Sequence, residues 1–173
     1  MSQAALSFPF VRTHASVTLS LIGTVVAALR SAATQLGGFY AGPLELPRNF
    51  DNSYPADLYL TINTAATSLI NGQVVRFVLD WTRITAAAAI VNVNFTFNWT
   101  VPNGWLTTQP QRVLLDNGSG HTFNAHAFTQ LDLLGIRIAR DGPNAADTYA
   151  QATDLALTLD LRYTSLCRAN CCL

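Results

Sequence analysis

Lysine is missing from this chain and glutamate occurs once, at Glu45, so its ten basic residues are all arginine and nine of its ten acids are aspartate. Lysine and glutamate are strong helix formers, while the abundant Thr, Val, Asn and Asp are not, so the bias points to strands and turns. Charged residues make up only 12% of the 173, with a net charge of zero and neither a basic run nor an acidic tail. That excludes the electrostatic footprint of a nucleic-acid-binding face and leaves a surface poorly charged for a free monomer. Arginine without lysine suits partly buried interfaces, or it reflects codon usage.

Long apolar runs are missing too. The longest, Val17 to Leu29, is broken by Ser20, Gly23 and Thr24 and is too short to span a bilayer, so no membrane insertion is expected. The N-terminus, MSQAALSFPFVRTH, lacks the charged and apolar regions of a signal peptide. The three N-x-S/T matches at Asn94, Asn98 and Asn117 therefore carry little weight as glycan acceptors. Cysteine is absent until the tail, where Cys167, Cys171 and Cys172 lie within six residues. Three thiols cannot close a four-ligand zinc site alone; they read either as a frayed tail or as an oligomer contact or disulfide between copies.

What the chain does contain is short alternating segments divided by turn residues. Asp57 to Ile62 sets Leu58, Leu60 and Ile62 on one face, Val74 to Ile84 follows the turn Asn71-Gly72, and Ile90 to Thr100 alternates most cleanly, with Val91, Val93, Phe95, Phe97 and Trp99 against Asn92, Asn94, Thr96 and Asn98. Leu133 to Arg140 and Leu155 to Tyr163 form two further runs, the second placing Leu155, Leu157, Leu159, Leu161 and Tyr163 on one face. About eight strands predict one all-β domain, an antiparallel jelly-roll-like sandwich over 38–163, with an N-terminal docking arm over 1–37 and a Cys-containing tail over 164–173. Within the arm, Leu19, Ile22, Val26, Leu29, Ala33 and Leu36 recur at spacings of three and four. A strand to about Gly23 and then a short helix capped by Gly37-Gly38 is the expectation, a trimeric coiled-coil stalk the sharper alternative.

No catalytic signature is found: no G-x-S-x-G, no phosphate-binding glycine loop, no H-E-x-x-H and no singled-out carboxylate pair. Neither an enzyme nor a cofactor is expected. His121 and His126, near Asp116 and Asp132, are five apart, which in an extended segment puts them on opposite faces and argues against a metal site. Trp105, Asn103 and Tyr54 are the candidates for sugar contact, an aromatic ring beside amides; Trp99 belongs to the apolar face of its strand.

Arg140-Asp141-Gly142, followed by Asp147-Thr148-Tyr149 and a strand ending in Tyr163, resembles the C-terminal signature of a family of small jelly-roll domains from tailed-phage fibres, spikes and head decorations. The resemblance covers the last quarter of the chain. It implies a non-enzymatic virion structural protein made in the host cytoplasm, a homotrimer docked on other virion proteins of capsid or tail. It also implies that Arg140, Asp141, Gly142, Asp147 and Thr148 structure the loop between the last two strands. The competing expectation is a carbohydrate-binding, lectin-like module that recognises host polysaccharide.

Overall fold

The structure, a computed structural model, describes residues 2–8, 10–15, 17–22, 26–64, 72–85, 87, 89–103, 110–156 and 159–166. Twelve strands occur among them: β1 (Ser2–Ser7), β2 (Phe10–Ala15), β3 (Val17–Ile22), β4 (Val26–Ser31), β5 (Leu36–Glu45), β6 (Asp57–Thr64), β7 (Val74–Ile84), β8 (Ile90–Thr100), β9 (Gln111–Leu114), β10 (Leu133–Asp141), β11 (Thr153–Ala156) and β12 (Asp160–Ser165). They form a sandwich of two antiparallel sheets, the fold class expected from the alternation. One sheet runs β1-β12-β6-β11-β4-β3, with β9 also on β6; the other runs β2-β5-β10-β7-β8.

Alternation dictates the core. Leu58, Leu60 and Ile62 of β6 face Val75, Phe77 and Leu79 of β7 and Leu134, Ile136 and Ile138 of β10, in one cluster with Phe39 and Leu161. Each such side chain removed from water contributes roughly 1.5–3 kcal/mol. At one end Trp81, Phe123 and Phe128 meet edge to face, with centroids 4.7 to 5.6 Å apart.

The N-terminal third differs from expectation. No helix occurs among the described residues, so the short helix after Gly23 and the coiled-coil stalk are both corrected. The three-and-four seam is instead a β3–β4 pairing in which Leu19 opposes Leu29 and Ile22 opposes Val26. Strand pairing overrides a periodicity that lacked helix formers in its first half. Nor does 1–37 stand apart as an arm: β1 pairs β12, β2 pairs β5, and β4 pairs β11. Gly37 and Gly38, expected to cap a helix, lie buried in β5, and a Cβ on Gly38 would sit 1.9 Å from the Ile138 carbonyl oxygen. The run Leu155 to Tyr163 is two strands rather than one, β11 on Ile62–Thr64 and β12 on Asp57–Tyr59 of the same β6.

Candidate functional site

Because alternate residues of a strand point to opposite faces, burying Phe77, Leu79, Ile136 and Ile138 turns Arg76, Asp80, Thr82, Gly135 and Arg137 outward on the five-stranded sheet. Register aligns these into rows. Tyr40 of β5, Arg137 of β10, Asp80 of β7 and Asn94 of β8 are consecutive partners across four strands. Arg137 Nη2 pairs with Asp80 Oδ2, and Asn94 Nδ2 donates to Asp80 Oδ1. In the next row Gly135 opposes Thr82 and Thr82 opposes Asn92, with Thr82 Oγ1 donating to Asn92 Oδ1 at 2.7 Å.

Between the rows the sheet is hollow. Gly135 lies in a register shift of β10 against β5, next to Gly42, whose φ of +95° suits glycine. A Cβ on Gly135 would meet nothing within 4 Å. The result is a groove of about 740 Å³ lined by Tyr40, Pro43, Asp80, Ile84, Leu133 and Arg137 over the two glycines. That is within the usual size range of small-ligand sites, roughly 300–1,000 Å³. One wall is aromatic and aliphatic; the other is a fixed set of donors and acceptors. Asp80 is the only carboxylate lining it among the described residues.

The residues expected to structure the late loop are brought together elsewhere. Arg140 and Asp147 side chains are fully buried, with Nε to Oδ2 at 2.8 Å and Nη2 to Oδ1 at 2.7 Å. Arg140 also donates to the carbonyls of Tyr149 and Gln151. Asp147 Oδ2 accepts from the Arg76 N–H at 3.0 Å, and Thr148 Oγ1 accepts from the Val74 N–H at 2.9 Å, so the loop is tied to the start of β7. Asp141 accepts from Arg76 Nε at 3.2 Å, and Gly142 packs so closely that a Cβ would meet the Ala33 oxygen at 2.4 Å.

The expected sugar contacts are not brought together. Asn103 follows Val101, whose N–H bonds Gln73 at the Val74 end of β7. Tyr54 lies beside Ala56, bridged to Phe123, whose ring meets Trp81 seven residues further along β7. About 23 Å of strand separates the two ends. Trp105 and the tail cysteines Cys167, Cys171 and Cys172 lie outside the described residues. Of the two histidines weighed as metal ligands, His121 has Nδ1 2.9 Å from Asp57 Oδ1, while His126 stands exposed with φ +65°. No group of three or more His, Cys, Asp or Glu side chains disposed to hold a metal occurs among the described residues. No helix among them is long and apolar enough to cross a membrane.

Sequence reasoning missed the groove. The signal was the Leu134-Gly135-Ile136 interruption in an otherwise continuous strand, since a strand glycine marks a bulge or an open approach to the backbone.

No protein-family model matches the chain, and no curated protein matches it. Among solved structures it is similar to the CBM22-1 xylan-binding domain from Paenibacillus barcinonensis Xyn10C, with TM-score 0.45 and 10% identity over 94% of this chain and 95% of that one. A family 30 carbohydrate-binding module gives 0.46 and 11% over 91% and 79%. An exo-beta-agarase gives 0.36 and 14%, over 94% of this chain and 24% of that one.

Proposed function

We propose that this chain is a non-catalytic carbohydrate-binding module whose site is the groove on the outer face of the five-stranded sheet. The observation that carries the reading is the glycine-floored groove itself. It sets the Tyr40 side chain beside the Arg137–Asp80–Asn94 row, with the half-buried Gly135 between them. A sugar ring has an apolar face of C–H groups and a rim of hydroxyls. Tyr40, Pro43 and Ile84 supply apolar contact for the first, and Asp80, Arg137, Asn92 and Asn94 supply acceptors and donors for the second.

Arg137 and Asp80 cancel each other's charge, so the wall favours an uncharged polyol over an anion. Glycoside hydrolysis ordinarily needs two carboxyl groups flanking the bond, and among the described residues the groove lining holds one, already engaged by a guanidinium and an amide. The particle role implied by the Arg140–Asp147 resemblance draws no comparable support, because those two side chains face each other inside a loop.

The test is calorimetric titration of soluble neutral and acidic polysaccharides into the wild type and into Gly135→Trp. The substituted side chain enters open space, so the fold should persist while the groove fills. Binding of a neutral glycan that Gly135→Trp removes is the expected result. Binding that survives the substitution, or binding of acidic polymers alone, would overturn the assignment.

A further inference from the structure

Strand β8 ends the order of its sheet, so among the described residues one of its edges has no partner. It is also the longest edge strand, eleven residues against six in β1, β2 and β3 and four in β9. Such edges are usually blunted by lysine, proline, inward charge or a bulge. β8 has none of these: it carries no charged residue, and its register with β7 is unbroken from Ile90 to Thr100. By contrast, β2 contains Arg12 and shows a register shift, and β9 contains Arg112.

The edge is apolar on the side that faces the core. Val91 and Val93 are 36% and 38% exposed, while Phe95, Phe97 and Trp99 further along are only partly covered; Ile90, 64% exposed, lies on the opposite side. The other side is the amide and hydroxyl row of Asn92, Asn94, Thr96 and Asn98.

We propose that β8 pairs with β8 of a second copy of this chain, antiparallel about a two-fold axis normal to the sheet. The argument for a second copy is self-complementarity. Opposed residues in a sheet share a face, so a register centred on Phe95 sets polar against polar and apolar against apolar over the nine residues Val91 to Trp99, with Ile90 meeting Thr100 at either end. Asn94 then opposes Thr96 of the second copy, Asn92 opposes Asn98, and the exposed Val93 and Val91 oppose Phe97 and Trp99. An uncharged edge meets no repulsion from its own image, and a two-fold closes the contact at a dimer.

The axis leaves both outer faces on one side of a ten-stranded sheet, so two grooves look the same way. A repeating polymer would then gain affinity from simultaneous engagement. This last consequence rests on the glycan reading; the pairing does not.

The experiment is size-exclusion chromatography with light scattering on the full chain with Cys167, Cys171 and Cys172 replaced by Ser, which removes the tail thiols as an alternative link. A mass of two chains is expected. Val93→Lys with Thr96→Lys, which sets like charges across the axis, should weaken the dimer at least about tenfold. Thr96→Lys alone, on the exposed face, serves if the double variant loses its circular dichroism spectrum. In the same background a nitroxide on Thr96→Cys should broaden by dipolar coupling, because diagonal neighbours in an antiparallel pair lie about 7–8 Å apart. A single-chain mass at the highest soluble concentration, a trimer, or a dimer indifferent to the lysines with no broadening would each overturn the pairing. None of these outcomes bears on whether the groove binds sugar.

Discussion

The Arg140 guanidinium and the Asp147 carboxylate meet with no solvent access to either side chain, two nitrogens on two oxygens at 2.8 and 2.7 Å. They are seven residues apart, at the end of β10 and in the loop that leads to β11. Arginine's fork also reaches the carbonyls of Tyr149 and Gln151, and the free lone pair of Asp147 takes the Arg76 N–H. The loop is thus folded around one satisfied ion pair, and the same pair anchors it to β7.

Removing one member of such a pair strands the other in a dry site. Asp147→Ala and Arg140→Ala should each lower unfolding free energy by about 3–5 kcal/mol. Arg140→Lys should recover little, since an ammonium group cannot span two carboxylate oxygens and two carbonyls in one plane. Urea titration followed by tryptophan fluorescence checks this; a loss under about 1 kcal/mol for Asp147→Ala would mean that water reaches the pair.

Glycine packing makes a second prediction with an internal control. A Cβ at Gly142 would lie 2.4 Å from the Ala33 oxygen, and one at Gly135 would lie in open space. Gly142→Ala should therefore destabilise the chain by several degrees in Tm, while Gly135→Ala should leave Tm level or slightly raised, a strand glycine being costly in the unfolded chain's entropy. Differential scanning calorimetry of both variants gives the comparison.

Much of this architecture was legible in the sequence. The Val74–Ile84 and Ile90–Thr100 strands lie where the sequence put them: β7 buries one face, β8 turns Phe95, Phe97 and Trp99 against the core, and the period of two is then unambiguous. The Val17 to Leu36 segment was not legible. Leu19, Ile22, Val26 and Leu29 satisfy a helical seam and a hairpin register alike, and only the pairing partners of β4 decide between them. The groove was hidden for a different reason. Tyr40, Arg137, Asp80 and Asn94 come from four separate strands, and their alignment is a property of register across the sheet rather than of any local spacing.

Tyr163 gives the chain a base-side limit. It is buried beside Phe50, ring centroids 5.4 Å apart, and burial raises its phenol above the ordinary 10.0. The neutral phenol is therefore the form that the folded state favours. Its contribution is complete below the unfolded value near pH 10 and is lost as pH rises through the higher folded value. Unfolding free energy should fall with pH in that alkaline window, and Tyr163→Phe should flatten the slope there while leaving neutral pH almost unchanged.

The groove row separates recognition from stability. Asp80 is a third exposed, its partner Arg137 is a quarter exposed, and Asn94 is on the surface, so their mutual bonds contribute little to folding, on the order of 1 kcal/mol or less. Their worth lies in being fixed in place before a ligand arrives, so that no ordering cost falls on binding. Asp80→Ala removes the carboxylate that pairs with Arg137 and accepts from Asn94, and takes one negative charge out of the wall. Affinity for a neutral glycan should fall at least about tenfold, with Tm changed by less than about 3 °C. Asp80→Asn keeps an acceptor for the Asn94 amide but not the charge balance, and should fall between the wild type and Asp80→Ala. Tyr40→Ala should also cost affinity through lost apolar contact. Calorimetric titration of all three beside a thermal scan decides the matter: affinities that track Tm would make the row a structural brace, and affinities that fall at constant Tm would make it the wall of a binding site.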